Sequence, residues 1–259
     1  MKKIIFRLIE LLFSKEKSSN YFLLPVIRGP LKGIKLYLNL HKNLESAYFL
    51  GKYDYHILNN LNKIIKKDWI IWDCGTYLGY YTIYFSKNAK LVYAFEPDDK
   101  NRSRTKQNLD INNITNFELH KVAISDKTGF IEFIVNNNSN SHIPGGYIGK
   151  NKEEYGKIEK SFGFEKVPSS TLDDLETKLG TPDLIKIDIE GFELYAIDYC
   201  HNLATNSKTS FIIESHNPET DKKLFQFYQK YNFNAFNIET MEELVLENQF
   251  NGTIFFRKA

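Results

Sequence analysis

From residue 69 onward, short apolar runs recur between longer segments with helical spacing. The runs are "WIIWDCG", "KLVYAFEP", "FELHKVAIS", "PDLIKIDIEG" and "SFIIESH". Runs this short and this continuously apolar suit strands covered on both faces. Their alternation with helical segments predicts a doubly wound α/β sheet. Near the end, "FNAFNIET" and "GTIFFRKA" read as two more strands, with helical patterns at 219–231 and 239–248 around the first. Before residue 68 the texture is mixed. Helical patterns near 3–13 and 54–66 flank a predicted hairpin around "GPLKGIKLYLNL". The expected organisation is therefore a helix-and-hairpin extension over 1–67 and an α/β domain over 68–259.

One segment breaks the alternation. Residues 136–166 are polar, rich in Asn and Gly, and lack a period. A loop of that length inside a domain is expected to act as a lid or binding loop. Order resumes at "SSTLDDLETKLGTP", where Thr171 has the place of an N-cap with Asp174 three residues on, and Gly180 followed by Pro182 stops the helix.

Composition narrows the function. A chain of 259 residues with 42% hydrophobic and 25% charged residues is an ordinary globular protein. Its net charge of +2 gives no electrostatic footprint for nucleic acid. Cys74 and Cys200 make no CxxC pattern, which fits a reducing compartment, and a cytoplasmic location is expected. The start, "MKKIIFRLIELLF", is interrupted by Arg7 and Glu10 and lacks a small-residue cleavage site. It is too short and too charged to span a bilayer. Ile4, Ile5, Leu8, Leu11 and Leu12 fall on one helical face. Two arrangements fit: a helix docked on the domain, or a basic amphipathic helix in peripheral contact with a membrane.

The chemistry gathers at strand ends. "IIWDCGTYLGYYT" turns from Asp73 through Gly75 and Gly79 into a helix, a place where backbone amides can meet a ligand. Its D-x-G-x-x-x-G spacing is not the dinucleotide GxGxxG. The next strand ends on Glu96, about 20 residues further on, where a carboxylate can accept from both hydroxyls of a ribose. Turn and acid together point to a nicotinamide cofactor or to S-adenosylmethionine. Ser125 and Asp126 stand where an adenine would be flanked. In "PDLIKIDIEGFE", Lys186 and Asp188 share one face of an apolar strand, and burying them requires a partner or a site. Glu190 and Glu193 follow around Gly191. The fifth run ends on Glu214, Ser215 and His216, at the same sheet end as Asp188.

Six stretches in order, "WDCGTYLGYYT", "AFEPDD", "VAISDKTG", "SSTLDDL", "LIKIDIEGFE" and "IIESH", make the chain resemble the FkbM-type methyltransferases, which use S-adenosylmethionine. The resemblance covers about residues 48–216. The family usually has Ala-Asn after the first glycine, where Thr76-Tyr77 stands here. Its upstream Gly-x-Tyr-Glu appears as "GKYD", with Asp54 in the last place. The resemblance implies a class I methyltransferase, Rossmann-like sheet of seven strands with the last antiparallel. It also implies O-methylation of a small molecule or glycan, as in surface polysaccharide or secondary-metabolite biosynthesis. Carried over by position, Asp73, Gly75, Thr76, Tyr77 and Gly79 form the cofactor turn, and Glu96 with Pro97 holds the ribose. Ser125 and Asp126 lie by adenine, and Asp188 faces the methionine end, with Thr82 and Asp54 as weaker candidates there.

A hydroxyl acceptor must lose a proton. His216 is the preferred base, because imidazole titrates near neutrality; Glu190 is the second choice, and Asp188 would orient the base. Asp188, Glu190, Glu214 and His216 would be the ligands of a divalent metal, a reading that is not favoured because their spacing follows from strand ends. "DIEG" replaces the Pro-Pro-aromatic signature of nucleic-acid amino methyltransferases. An NAD-dependent oxidoreductase and a non-catalytic nucleoside-binding module are the alternatives.

Overall fold

The computed structural model describes residues 21–136, 147–148, 162–206, 208–215, 218–245 and 252–259. The N-terminal pattern at 3–13, most of the 136–166 insertion and His216 lie outside the described residues.

The hairpin forms where alternation predicts it. Strands β1 (Phe22–Pro25) and β2 (Lys35–Leu38) pair antiparallel, with Phe22 opposite Leu38. Phe22, Leu24, Leu36 and Leu38 are buried on one face. Helices α1 (Asn43–Leu50) and α2 (Tyr55–Ile64) follow. Hairpin and helices share a core with Ile71, Ile83, Phe85, Val92 and Leu109 of the main body, so the extension does not pack as a separate unit.

The main sheet is built from β3 (Ile70–Cys74), β4 (Leu91–Phe95), β5 (Phe117–His120), β10 (Leu184–Ile187), β11 (Ser210–Ser215), β12 (Phe233–Asn237), β13 (Glu243–Leu244) and β14 (Gly252–Lys258). Their spatial order is β5-β4-β3-β10-β11-β14-β12-β13. The strands from β5 to β11 are parallel, and β14 runs antiparallel to both β11 and β12. This is the expected class I order with an antiparallel last strand, extended by the two-residue β13 to eight strands among the described residues. The helices are α3 (Tyr80–Asn88), α4 (Asp99–Ile111), α5 (Leu172–Leu179), α6 (Glu193–Ile197), α7 (His201–Thr205) and α8 (Pro218–Lys230). Alternate residues of β3 split between the two cores: Ile71 faces the extension side, and Trp72 and Cys74 face the other. Thr171 caps α5, its Oγ1 accepting from the Asp174 amide at 3.1 Å.

Three expectations are corrected. The helical pattern at 239–248 does not form a helix over its described part. The Asn237 side chain accepts from the Glu239 amide at 2.9 Å, the chain bends back, and Leu244 pairs with Ala235. Such side-chain bonding to the local backbone competes with helix formation. The run "FELHKVAIS" divides: only β5 joins the main sheet, while β6 (Ala123–Ile124) leaves its edge. It joins β7 (Gly129–Asn136), β8 (Tyr147–Ile148) and β9 (Phe162–Ser170) in a second sheet of order β6-β9-β7-β8. Residues 162–166 are therefore strand, paired antiparallel with β7, although they read as loop.

Candidate functional site

The chain runs outward from β3 to β5 and crosses back to β10, so β3 and β10 are neighbours at the topological switch point. Open α/β sheets bind ligands beyond the carboxyl ends of the strands at that point. A cleft of about 580 Å³, open mouth included, lies there. That is an ordinary size for a small-molecule site.

The turn after β3 forms one wall. Asp73 is fully buried, and its Oδ2 accepts from the Thr82 hydroxyl at 2.6 Å. Its Oδ1 has no hydrogen-bond partner among the described residues. Burial pushes this carboxyl up to about 6, against the lowering charge of Lys186. Gly75 has φ +87°, and its amide donates to the Phe95 carbonyl at 3.0 Å. A Cβ on Gly75 would overlap the Asp188 carbonyl oxygen. Gly79 caps α3 at φ +84°, where a Cβ would stand 2.9 Å from Thr105 Cγ2. What approaches the two glycines is thus the end of β10 at one and helix α4 at the other. Thr76 bonds Thr105 through its hydroxyl, 3.2 Å away, and does not line the cleft; Tyr77 does, with φ +52°.

Glu96 stands at the tip of β4, buried and facing the cleft. It accepts from the Tyr77 amide at 2.9 Å and the Asp98 amide at 3.0 Å. Burial outweighs these bonds and raises its pKa to about 8. Pro97 and Asn101 line the cleft beside it. Opposite, the wall is Val122, Ala123 and Ile124 with Phe133 of the second sheet. Ser125 and Asp126, next in the chain, do not line the cleft: the Ser125 hydroxyl donates to Asp126 at 3.0 Å, and its amide donates to the Ser170 carbonyl at 3.0 Å.

The far end is charged. Asp188, Ile189 and Glu190 line the cleft. The register sets Lys186 beside Asp73, and the Lys186 ammonium, 5% exposed, lies 2.9 Å from Asp188 Oδ2 and 4.6 Å from the Tyr81 ring centre. Burial alone would lower the Lys186 pKa, but Asp188, Asp73 and Glu214 outweigh it and raise it. The Tyr81 hydroxyl donates to Asp54 Oδ2 at 2.7 Å. Burial raises the Asp54 pKa, opposed by that bond and by Lys186. Glu190 is exposed at φ +57°. Glu193 is buried and accepts from the amides of Ile189 and Gly191, both at 3.1 Å, which fixes the turn after β10. Among the described residues no group of three His, Cys, Asp or Glu is placed to hold a metal.

The model of the methyltransferase FkbM domain matches residues 73–247, well over half of the chain. The chain belongs to the FkbM methyltransferase family. No match to a curated protein was found. Similar solved structures include an FkbM methyltransferase from Methylobacillus flagellatus KT, at 14% identity and TM-score 0.48, with 82% of this chain and 52% of that one covered. This chain therefore spans about half the length of that protein. A precorrin-6y C5,15-methyltransferase from Geobacter metallireducens GS-15 is similar at 13% identity and TM-score 0.46, covering 81% and 90%. A rRNA methylase from Streptococcus thermophilus is similar at 13% identity and TM-score 0.44, covering 79% and 95%.

In this FkbM chain Gly75, Tyr77, Glu96, Pro97, Asp188 and Glu190, of the residues singled out in the sequence, line one cleft, whereas Asp73, Thr76, Gly79, Thr82, Ser125 and Asp126 do not line it. Sequence reasoning missed the apolar wall of Val122 to Ile124 and Phe133, because β6 looked like a continuation of β5. It also missed Asn101. It did single out Asp54, but nothing in the spacing announced the Tyr81 bond.

Proposed function

We propose that this protein transfers a methyl group from S-adenosylmethionine to a hydroxyl of a small molecule or glycan. The observation that carries the reading is the buried carboxylate of Glu96 facing a cleft at the switch point, with Asp188 at the other end. The residues fit the cofactor. Each Glu96 oxygen receives one backbone donor and the Asn101 side chain adds a third, while a carboxylate offers about four lone-pair sites, which leaves capacity for a ribose hydroxyl. The apolar faces of Phe95, Val122, Ile124 and Phe133 suit a flat base, and Asp188 suits a cationic end. When bound, the cofactor supplies an electrophilic methyl group on a positively charged sulfur.

The rest is the work of the chain: holding the acceptor in line, excluding water and taking a proton. Alignment is worth up to about 7–11 kcal/mol of barrier. A placed base adds about 10²–10⁴-fold. His216, assigned from the sequence, is the first proposed base, with Glu190 as the second. One observation favours testing another. Asp54 is the N-cap of α2 yet makes no capping bond and sits at φ +47°. An Asp at that place normally caps its helix, whereas here Tyr81 holds Oδ2 and leaves Oδ1 to accept. Strained residues that abandon a local role are characteristic of functional sites. Lys186 supplies positive charge among the acids, which keeps a divalent metal the less favoured reading. The near-neutral net charge disfavours a nucleic-acid acceptor, and a cytoplasmic location is proposed.

The test is transfer of labelled methyl from S-adenosylmethionine to a panel of methyl hexopyranosides, beside amine and nucleic-acid acceptors. The expected product is an alkali-stable methyl ether. Label appearing only on nitrogen, carbon or RNA would reject O-methylation. In a parallel thermal-shift comparison, S-adenosylhomocysteine is expected to stabilise the protein and NAD to leave it unmoved; the reverse would favour an oxidoreductase.

A further inference from the structure

Tyr77 occupies a position where the family usually has Asn, and it does two jobs at once. Its backbone, at φ +52°, donates its amide to Glu96 Oε2 at 2.9 Å. Its hydroxyl donates to Glu45 Oε1 at 3.0 Å. Glu45 belongs to α1 of the extension and is completely buried. Arg104 of α4 closes on the same carboxylate, with Nη1 on Oε1 at 3.1 Å and Nη2 on Oε2. The Asn39 amide donates to Oε2 at 2.6 Å. Arg104 also donates to the Tyr37 carbonyl from Nε at 3.2 Å and Nη2 at 2.8 Å. The Thr105 hydroxyl holds the Tyr77 carbonyl at 2.9 Å, and the Asn108 amide holds the Leu78 carbonyl at 2.8 Å. One face of α4 thus clamps the turn from one side while Glu45 anchors its only long polar side chain.

A non-glycine residue in the left-handed region is costly unless its surroundings hold it there. Here the surroundings are the phenol anchor and the Thr105 bond. Freeing the phenol loosens the amide that aims Glu96. We propose that Glu45 is a positioning residue for the cofactor, acting through Tyr77 on Glu96, so that the extension and the ribose-binding carboxylate respond to ligand as one unit. The inference rests on the S-adenosylmethionine reading above.

The test is calorimetric titration with S-adenosylhomocysteine and with adenosine. Tyr77→Phe keeps the ring and removes the anchor. It is expected to weaken both ligands equally, by about tenfold, the change carried by one hydrogen bond to a charged group. Arg104 and the Asn39 amide still hold Glu45 in this variant, so its melting temperature should fall by only a few degrees, and affinity measured well below that temperature separates positioning from general destabilisation. Glu45→Gln leaves Arg104 without its countercharge and risks misfolding, so it is read only in cycle with Tyr77→Phe. In that background it should add no further loss of affinity, because the path is already cut. Hydrogen exchange should also slow at the Asn39 amide when S-adenosylhomocysteine binds. Wild-type affinity in Tyr77→Phe, or a loss for S-adenosylhomocysteine but not adenosine, would overturn the inference. Wild-type protein that binds neither ligand would instead overturn the cofactor reading beneath it.

Discussion

Gly75 offers the sharpest perturbation of the site's architecture, because a matched control exists in the same chain. Gly75 and Gly33 have nearly the same φ, +87° and +86°. Around Gly33 no described residue beyond its chain neighbours comes within 4 Å of where a Cβ would stand, whereas at Gly75 the Asp188 carbonyl occupies its place. Both alanine variants carry the left-handed strain, about 1–2 kcal/mol. Both also gain the same small unfolded-state benefit of replacing glycine. Only Gly75→Ala must push back the backbone of Asp188, whose amide donates to the Cys74 carbonyl at 3.0 Å. Forcing atoms into a packed site costs about 1–3 kcal/mol, so the total for Gly75→Ala is about 2–5 kcal/mol against about 1–2 kcal/mol for Gly33→Ala. In a chain of this size that is a fall in melting temperature of roughly 5–15 °C against a few degrees. Paired thermal and urea unfolding reads the difference, and methyl transfer should fall only in Gly75→Ala. Equal losses in the two variants would refute the claim that this glycine exists to admit the end of β10.

Other expectations follow from the buried charges. Lys186→Met leaves Asp73 and Asp188 uncompensated and should cost about 3–5 kcal/mol, the usual result of breaking a buried pair; a urea midpoint within error of the wild type would contradict it. The folded pKa of Glu96 is about 8 against an ordinary 4.5, so its contribution to stability is full below pH 4.5 and declines as pH rises to about 8. Glu96→Gln should flatten the fall of melting temperature across that window, and an unchanged slope would show that the carboxyl is not protonated in the fold. With an active acceptor in hand, His216→Ala should abolish the limb of the pH–rate profile near about 6.5, whereas Asp54→Asn should do so if the Tyr81-held carboxylate is the base. A profile unmoved by either variant would reject both assignments.

The sheet was legible because its parallel strands are covered on both faces and leave continuous apolar runs. That Glu96 and Asp188 border the cleft was legible for the converse reason, since an acid closing such a run stands at the sheet end where ligands bind, whereas Asp73 is buried behind the turn and bonded to Thr82. What stayed hidden depends on contacts between distant segments. Nothing in the local sequence "KNRSRTKQNLDI" marks Arg104, Thr105 and Asn108, which are buried against the extension and the glycine turn. Nor does "NLESAYFL" mark Glu45 as the buried countercharge of Arg104. The failed helix at 239–248 had suitable residue types, but Asn237 bonds its own neighbours and Met241 turns the chain at φ +61°. In β9 the strand begins inside a polar segment because β7 supplies the pairing, which local composition does not record.

The central claim, that the cleft at the end of β3, β4 and β10 is an S-adenosylmethionine site read by Glu96, is tested most directly by calorimetric titration of S-adenosylhomocysteine into wild-type protein and Glu96→Gln. Micromolar binding by the wild type, weakened at least about tenfold by loss of a carboxyl oxygen as acceptor, is the expected result. A folded wild-type protein that fails to bind, or a Glu96→Gln variant that binds equally well, would contradict the account.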